Sequence, residues 1–170
     1  MCGISIEVVS RAEAGEILSS SERCTEVMYL VSIGESHDEL PIGFANVTQR
    51  LRLIFADHIE GPYCPTEKDI REIIWLADSL RTSVGKVLIH CEAGVSRSSA
   101  AALIMYAYWF GEGREWDALE RVLQQRPMAL PNPLMVSIAD KLMERGGRLI
   151  EVVQFYEEKT LHQDIDGVKI

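Results

Sequence analysis

The stretch VLIHCEAGVSRSSAAAL, from Val87 to Leu103, decides how this chain is read. It opens as a near-continuous apolar run, which fits a strand buried on both faces, and it closes in the Ser and Ala content of a helix. Between the two lie His90, Cys91, a single glycine at Gly94, then Arg97 and Ser98. A loop that leaves a strand and enters a helix turns several backbone N–H groups into one concavity, where unsatisfied donors and the helix dipole favour an anion. Gly94 lets the backbone approach closely, and Arg97 offers a planar fork to two oxygens of a tetrahedral oxyanion. The stretch therefore reads as a phosphate cradle with a thiol at its base.

Outward from this centre the chain alternates strand and helix signals. Ile4–Ser10, Glu26–Gly34 and Leu51–Phe55 are rich in β-branched and apolar residues, and Lys86–His90 completes a set of four. A short helix is expected over Ser10–Leu18. Another should start at an N-cap Thr66, carry Ile70, Ile73, Ile74, Ala77 and Leu80 at helical spacing, and end at Val84-Gly85. Helices over Ser96–Phe110, Arg114–Gln125, Asn132–Glu144 and Gly147–Lys159 fill the rest, with Trp75, Trp109 and Trp116 expected in the core. The fold class is α/β: a central, largely parallel sheet of four to five strands flanked by helices, with a helical C-terminal third. Ligands of such sheets bind beyond the carboxyl ends of the strands, where both Asp57 and Cys91 fall.

The totals set bounds on function. With 170 residues, 47% hydrophobic and 25% charged, one globular domain over 1–170 is expected. The net charge of −9 disfavours nucleic acid and anionic membrane as partners, because the long-range field repels phosphates. No stretch has the apolar length of a membrane span, the start MCGISIEVVSRAE lacks a signal-peptide pattern, and the expected address is the cytoplasm. Cys2, Cys24, Cys64 and Cys91 are widely spaced without a C-x-x-C pair, so neither a disulfide framework nor a zinc site is expected.

The chemistry follows from the loop. Thiols at a helix N-terminus beside a guanidinium ionise at neutral pH, and a thiolate beneath a phosphoryl group can attack phosphorus in line to form a covalent intermediate. Amides along Glu92, Ala93, Gly94, Val95, Ser96 and Arg97 would stabilise the equatorial oxygens. Ser98 would donate to the sulfur when it leaves in the second step. Loss of the alcohol needs an acid, and activation of water needs a base. Asp57 falls directly after the strand LRLIF, at a strand end as Cys91 does, which makes it a candidate. Asp38, in the long loop after Gly34, is the second; Asp78 and Asp69 fall within a helix.

These residues resemble the cysteine-dependent protein phosphatase superfamily, whose signature H-C-x5-R-S/T is matched by His90, Cys91, Arg97 and Ser98. The loop is most similar to that of the compact dual-specificity branch, and QQRPMALPNPLMVSIADKL (Gln124–Leu142) is similar to the Arg-Pro…Pro-Asn segment that follows it there. The resemblance implies a protein tyrosine phosphatase-like fold, an Asp acid in the position of Asp57, and hydrolysis of phosphotyrosine through a cysteinyl-phosphate, with phosphoserine and phosphothreonine open as further substrates. It also implies that His90 orients the loop and supports ionisation of the thiol. Asn132 would cap the next helix and steady the loop or the second-step water. No cofactor and no metal are implied. Glu92 and Val95 stand where inositol-lipid phosphatases often carry lysines, which makes a phosphorylated protein or a small phosphomonoester the expected substrate. A phosphatase of a phosphorylated metabolite or inositol phosphate, and a phosphate-binding pseudophosphatase, stay open as alternatives.

Overall fold

In the computed structural model, which describes residues 3–166, the strands are β1 (Gly3–Ser10), β2 (Val27–Gly34), β3 (Arg50–Ile54) and β4 (Val84–Cys91). They form one sheet in the order β1-β4-β2-β3, and every neighbouring pair is parallel. The helices are α1 (Arg11–Ser19), α2 (Ser21–Thr25), α3 (Glu67–Ser79), α4 (Arg97–Phe110), α5 (Glu115–Gln125), α6 (Pro133–Leu142) and α7 (Arg148–Asp166). The helices α1 and α2 cover one face through a small cluster of Val9, Ala14, Ile17, Leu18, Leu30 and Leu88. The other five build the larger core on the opposite face, centred on α4.

The central element is β4. Val87 to Cys91 are all buried, because β1 and β2 flank the strand and helices cover both faces. The following helix is equally enclosed, with every residue from Arg97 to Ala107 buried. Small alanines at 100, 101 and 102 let α4 lie close to the sheet and fix the start of the helix directly over the strand end. Asn132 caps α6 by accepting from Met135 N at 3.0 Å, and Thr66 with Asp69 forms the reciprocal capping box of α3.

Several sequence expectations need correction. Val84 and Gly85 do not close α3, which is capped at Leu80; they open β4 by pairing with Gly3 and Ile4. The helix α2 carries no apolar periodicity, since none of its residues is buried, and is set instead by Ser20, whose hydroxyl accepts from Arg23 N. Trp75 is 70% exposed and Trp116 45% exposed, so neither belongs to the core. Trp109 is half-buried and donates its indole N–H to Ala77 O at 2.7 Å. The last helix continues past Lys159 to Asp166. Cys24, Cys64 and Cys91 are free thiols, and Cys2 lies outside the described residues.

Candidate active site

Cys91 ends β4 with its thiol 2% exposed at the base of the loop that leads into α4. Its Sγ lies 3.1 Å from the hydroxyl of Ser98, in the first turn of α4. Opposite a thiolate the hydroxyl is the donor, so Ser98 stabilises sulfur whenever it carries charge. Ser96 is the N-cap residue, yet its side chain makes no cap hydrogen bond. The first-turn N–H groups of α4 thus stay available on the side of the thiol.

The loop carbonyls are held from outside. Glu92 O accepts from Arg11 N at 3.1 Å, Val95 O from Leu130 N at 3.0 Å and Ser96 O from Asn132 N at 3.3 Å, besides the bonds that Val95 O and Ser96 O take from Ser99 and Ala100 of α4 itself. Ala93 O and Gly94 O face the side chain of Arg126, at 3.2 Å from Nη2 and 3.1 Å from Nε. In a trans peptide the C=O and the following N–H point in opposite directions. Each carbonyl drawn outward therefore turns the next residue's N–H inward, which yields the concavity of donors expected from the sequence. At Gly94, φ is +70° and an added Cβ would stand 2.5 Å from Val9 C and 2.6 Å from Ser10 N. Both contacts are with backbone, so this position is closed to any side chain.

Arg97 is buried at 5% exposure. Its Nη1 donates to Phe55 O at 2.9 Å, and its Nε has no hydrogen-bond partner among the described residues. A buried guanidinium with an unmatched N–H is set up for an anionic acceptor. The same side chain reaches the second strand end, with Nε 3.9 Å from Asp57 Oδ2. Asp57 Oδ1 accepts from Ser96 Oγ at 2.7 Å and Asn132 Nδ2 at 2.8 Å. Both side-chain donors meet Oδ1, and Oδ2 is the oxygen that faces Arg97 Nε.

His90 precedes the thiol and is buried between β1 and β2, 1% exposed. Its Nδ1 lies 3.3 Å from Cys91 O, which places the ring proton on Nδ1. Burial, aided by the positive charges of Arg52, Arg11 and Arg97, pushes its pKa down to about 4. Histidine is therefore neutral at pH 7 and contributes to the thiol through the carbonyl it anchors, not through a charge.

The structure thus joins Arg97, Ser96 and Asn132 to Asp57 beside the Cys91–Ser98 pair, with Glu92 on the rim in a 3.1 Å ion pair with Arg11. The second-choice acid, Asp38, turns back on its own loop and accepts from Glu35 N at 2.7 Å. Asp78 accepts from the Tyr108 hydroxyl on the helical side of the molecule. Arg126 and the carbonyl of Phe55 are two groups at the site that the sequence expectations do not include. The Arg-Pro pair at 126–127 was the available signal for the first; nothing in the sequence marks a backbone oxygen.

No family model matches the chain. Dual specificity protein phosphatase 15 of Rattus norvegicus is 32% identical over 108 residues, covering 64% of this chain and 42% of that protein. Dual specificity protein phosphatase 5 of Homo sapiens is 33% identical over 95 residues, 51% of this chain and 24% of the relative. The chain spans less than half the length of these curated relatives. The crystal structure of DUSP15 superposes with a TM-score of 0.62 at 24% identity, over 93% of this chain and 92% of that one. In sequence the chain is a relative of the dual specificity phosphatases, and it shares their fold.

Proposed function

We propose that this relative of the dual specificity phosphatases is itself a phosphoprotein phosphatase, which hydrolyses phosphotyrosine and also phosphoserine and phosphothreonine through a cysteinyl-phosphate. The observation that carries the reading is the placement of one thiol, one buried guanidinium with an unmatched N–H, and one carboxyl group around the same concavity. In the first step Cys91 Sγ attacks phosphorus, the bond from phosphorus to the leaving oxygen breaks, and Asp57 Oδ2 gives that oxygen its proton. The inward N–H groups and Arg97 hold the three equatorial oxygens as charge redistributes. In the second step Asp57 Oδ2 takes a proton from water, whose oxygen bonds to phosphorus as the S–P bond breaks. Ser98 then stabilises the departing thiolate.

The pairing of Glu92 with Arg11, in a loop without lysine, supports a singly phosphorylated protein side chain as substrate over a multiply phosphorylated headgroup. The deciding assay is hydrolysis of an aryl phosphate in the presence of a chelator, since the proposed cycle uses no metal. Wild type is expected to turn over; Cys91→Ser is expected to be inactive, because a serine hydroxyl does not ionise at neutral pH. Asp57→Ala should bind but hydrolyse slowly. Phosphotyrosine, phosphoserine and phosphothreonine peptides of one sequence then rank the substrates. Wild-type protein that binds phosphate and hydrolyses none of them would overturn the proposal.

A further inference from the structure

We propose that Arg126, held in place by Glu13, is a positioning residue for the cysteine loop: it fixes the two peptides after Ala93 and Gly94 so that the N–H groups of Gly94 and Val95 face the bound oxyanion. The kinetic part rests on the phosphatase reading; the anion-binding part does not.

Of the five loop carbonyls, those of Glu92, Val95 and Ser96 are held by backbone N–H groups of other segments. The other two, at the tip of the loop, are given only to Arg126 among the described residues. The Nε and Nη2 donors share one edge of the planar guanidinium, and that spacing suits two successive carbonyls. An ammonium cannot reproduce it. Nη1, on another edge, reaches Glu13 Oε1 at 3.0 Å, 113 residues away in sequence.

Glu13 is itself fixed. Its Oε2 accepts from Ser10 N at 2.7 Å, while the Ser10 hydroxyl accepts from Glu13 N at 3.2 Å, completing the capping box of α1. Ser10 N also abuts Gly94. One short piece of chain, Val9 to Glu13, thus forms the wall of the loop and anchors the side chain that aims its peptides. The hydrogen bond from Arg126, followed by that from Ser10, pushes the Glu13 pKa down to about 2, so the anchor is ionised whenever the protein is folded near neutrality.

Arg126 also caps the C-terminus of α5, where a cation stabilises a helix by charge alone. The two roles separate in Arg126→Lys, which keeps the charge and loses the fork. Tungstate, a tetrahedral oxyanion, is titrated into the full chain by calorimetry, thermal melts report folding, and the rate of Cys91 alkylation is followed from pH 4 to 9. Arg126→Lys and Arg126→Met are each expected to bind tungstate about tenfold more weakly or worse, with the alkylation profile moved to higher pH. Glu13→Gln, a milder change that retains the cap, is expected to weaken binding about threefold and serves if the Arg126 variants do not fold. Folded variants that bind within about 1.5-fold of wild type overturn the proposal. So does Arg126→Lys behaving as wild type, since charge alone then suffices. Wild type that binds tungstate but hydrolyses no aryl phosphate defeats the phosphatase reading while leaving this test intact.

Discussion

The cysteine loop and the acid loop both leave the carboxyl ends of parallel strands, but they leave different kinds of strand. The first follows β4, flanked by strands on both sides and buried to its last residue, and each of its carbonyls has a donor. The second follows β3, the edge strand. It is closed by Ala56 N to Tyr63 O at 2.7 Å, and Asp57 to Tyr63 are exposed. The loop that must bind a fixed tetrahedral group is built into the core, while the loop that must exchange a proton with a leaving group and with water stands at its margin. The bridges between the two are few: Arg97 to Phe55 O, and Ser96 and Asn132 to Asp57.

That contrast is tested first at Arg97. Arg97→Lys removes the planar fork and the tie to Phe55 O, and turnover of an aryl phosphate is expected to fall about 10²–10³-fold. A loss below about fivefold would show that the loop amides hold the oxyanion without it. Asp57→Asn comes next, with a loss of about 10²-fold on phenyl phosphate and a much smaller one on an aryl phosphate whose leaving group needs no proton. Equal losses on both substrates would remove Asp57 from the proton transfer. Ser98→Ala is expected to lower kcat about tenfold, the scale of one hydrogen bond to a charged group. It should reveal a burst of phenol release, because the second step slows and the first does not; a uniform slowing without a burst would place Ser98 elsewhere in the cycle.

The remaining effects are on stability against pH, measured by denaturant melts. His90 has a folded pKa of about 4, below its unfolded value of about 6.5. The unfolded chain therefore binds a proton that the folded chain refuses. Stability is unaffected above that window and falls as pH drops from about 6.5 toward 4, by about 3 kcal/mol at most. Glu13, with a folded pKa of about 2, contributes stability above its ordinary value that is lost as pH falls through about 2. A His90→Asn variant that abolishes the upper window and leaves the lower one separates the strand interior from the brace.

The legible part of the site was the contiguous part. Cys91, Gly94, Arg97 and Ser98 lie within one strand end, loop and helix start, so local geometry implied their roles, while that of His90 came from the resemblance. Asp57 could be placed because the resemblance puts the acid on a loop after a strand, and the apolar run before Asp57 announces such a strand end. What local pattern could not supply was pairing across the chain. Nothing near Arg126 announces Glu13, and nothing near Asn132 announces that its amide reaches Asp57 while its oxygen caps α6. The misplaced features fail for the same reason: Trp75 and Trp116 sit on amphipathic helices, but which face meets the core depends on neighbours far away in sequence. Val84-Gly85 carries turn chemistry, yet β1 recruits it into the sheet.

The hydroxyl of Tyr106, deep in α4, accepts from Ile6 N at 3.2 Å. Ile6 belongs to β1, the other edge of the sheet, and the Glu13 carboxylate takes the N–H of Ser10 farther along the same strand. Unpaired strand edges are templates on which other chains add strands. By covering the N–H groups of Ile6 and Ser10 with side chains, the fold leaves fewer free donors along β1 on which another strand could pair.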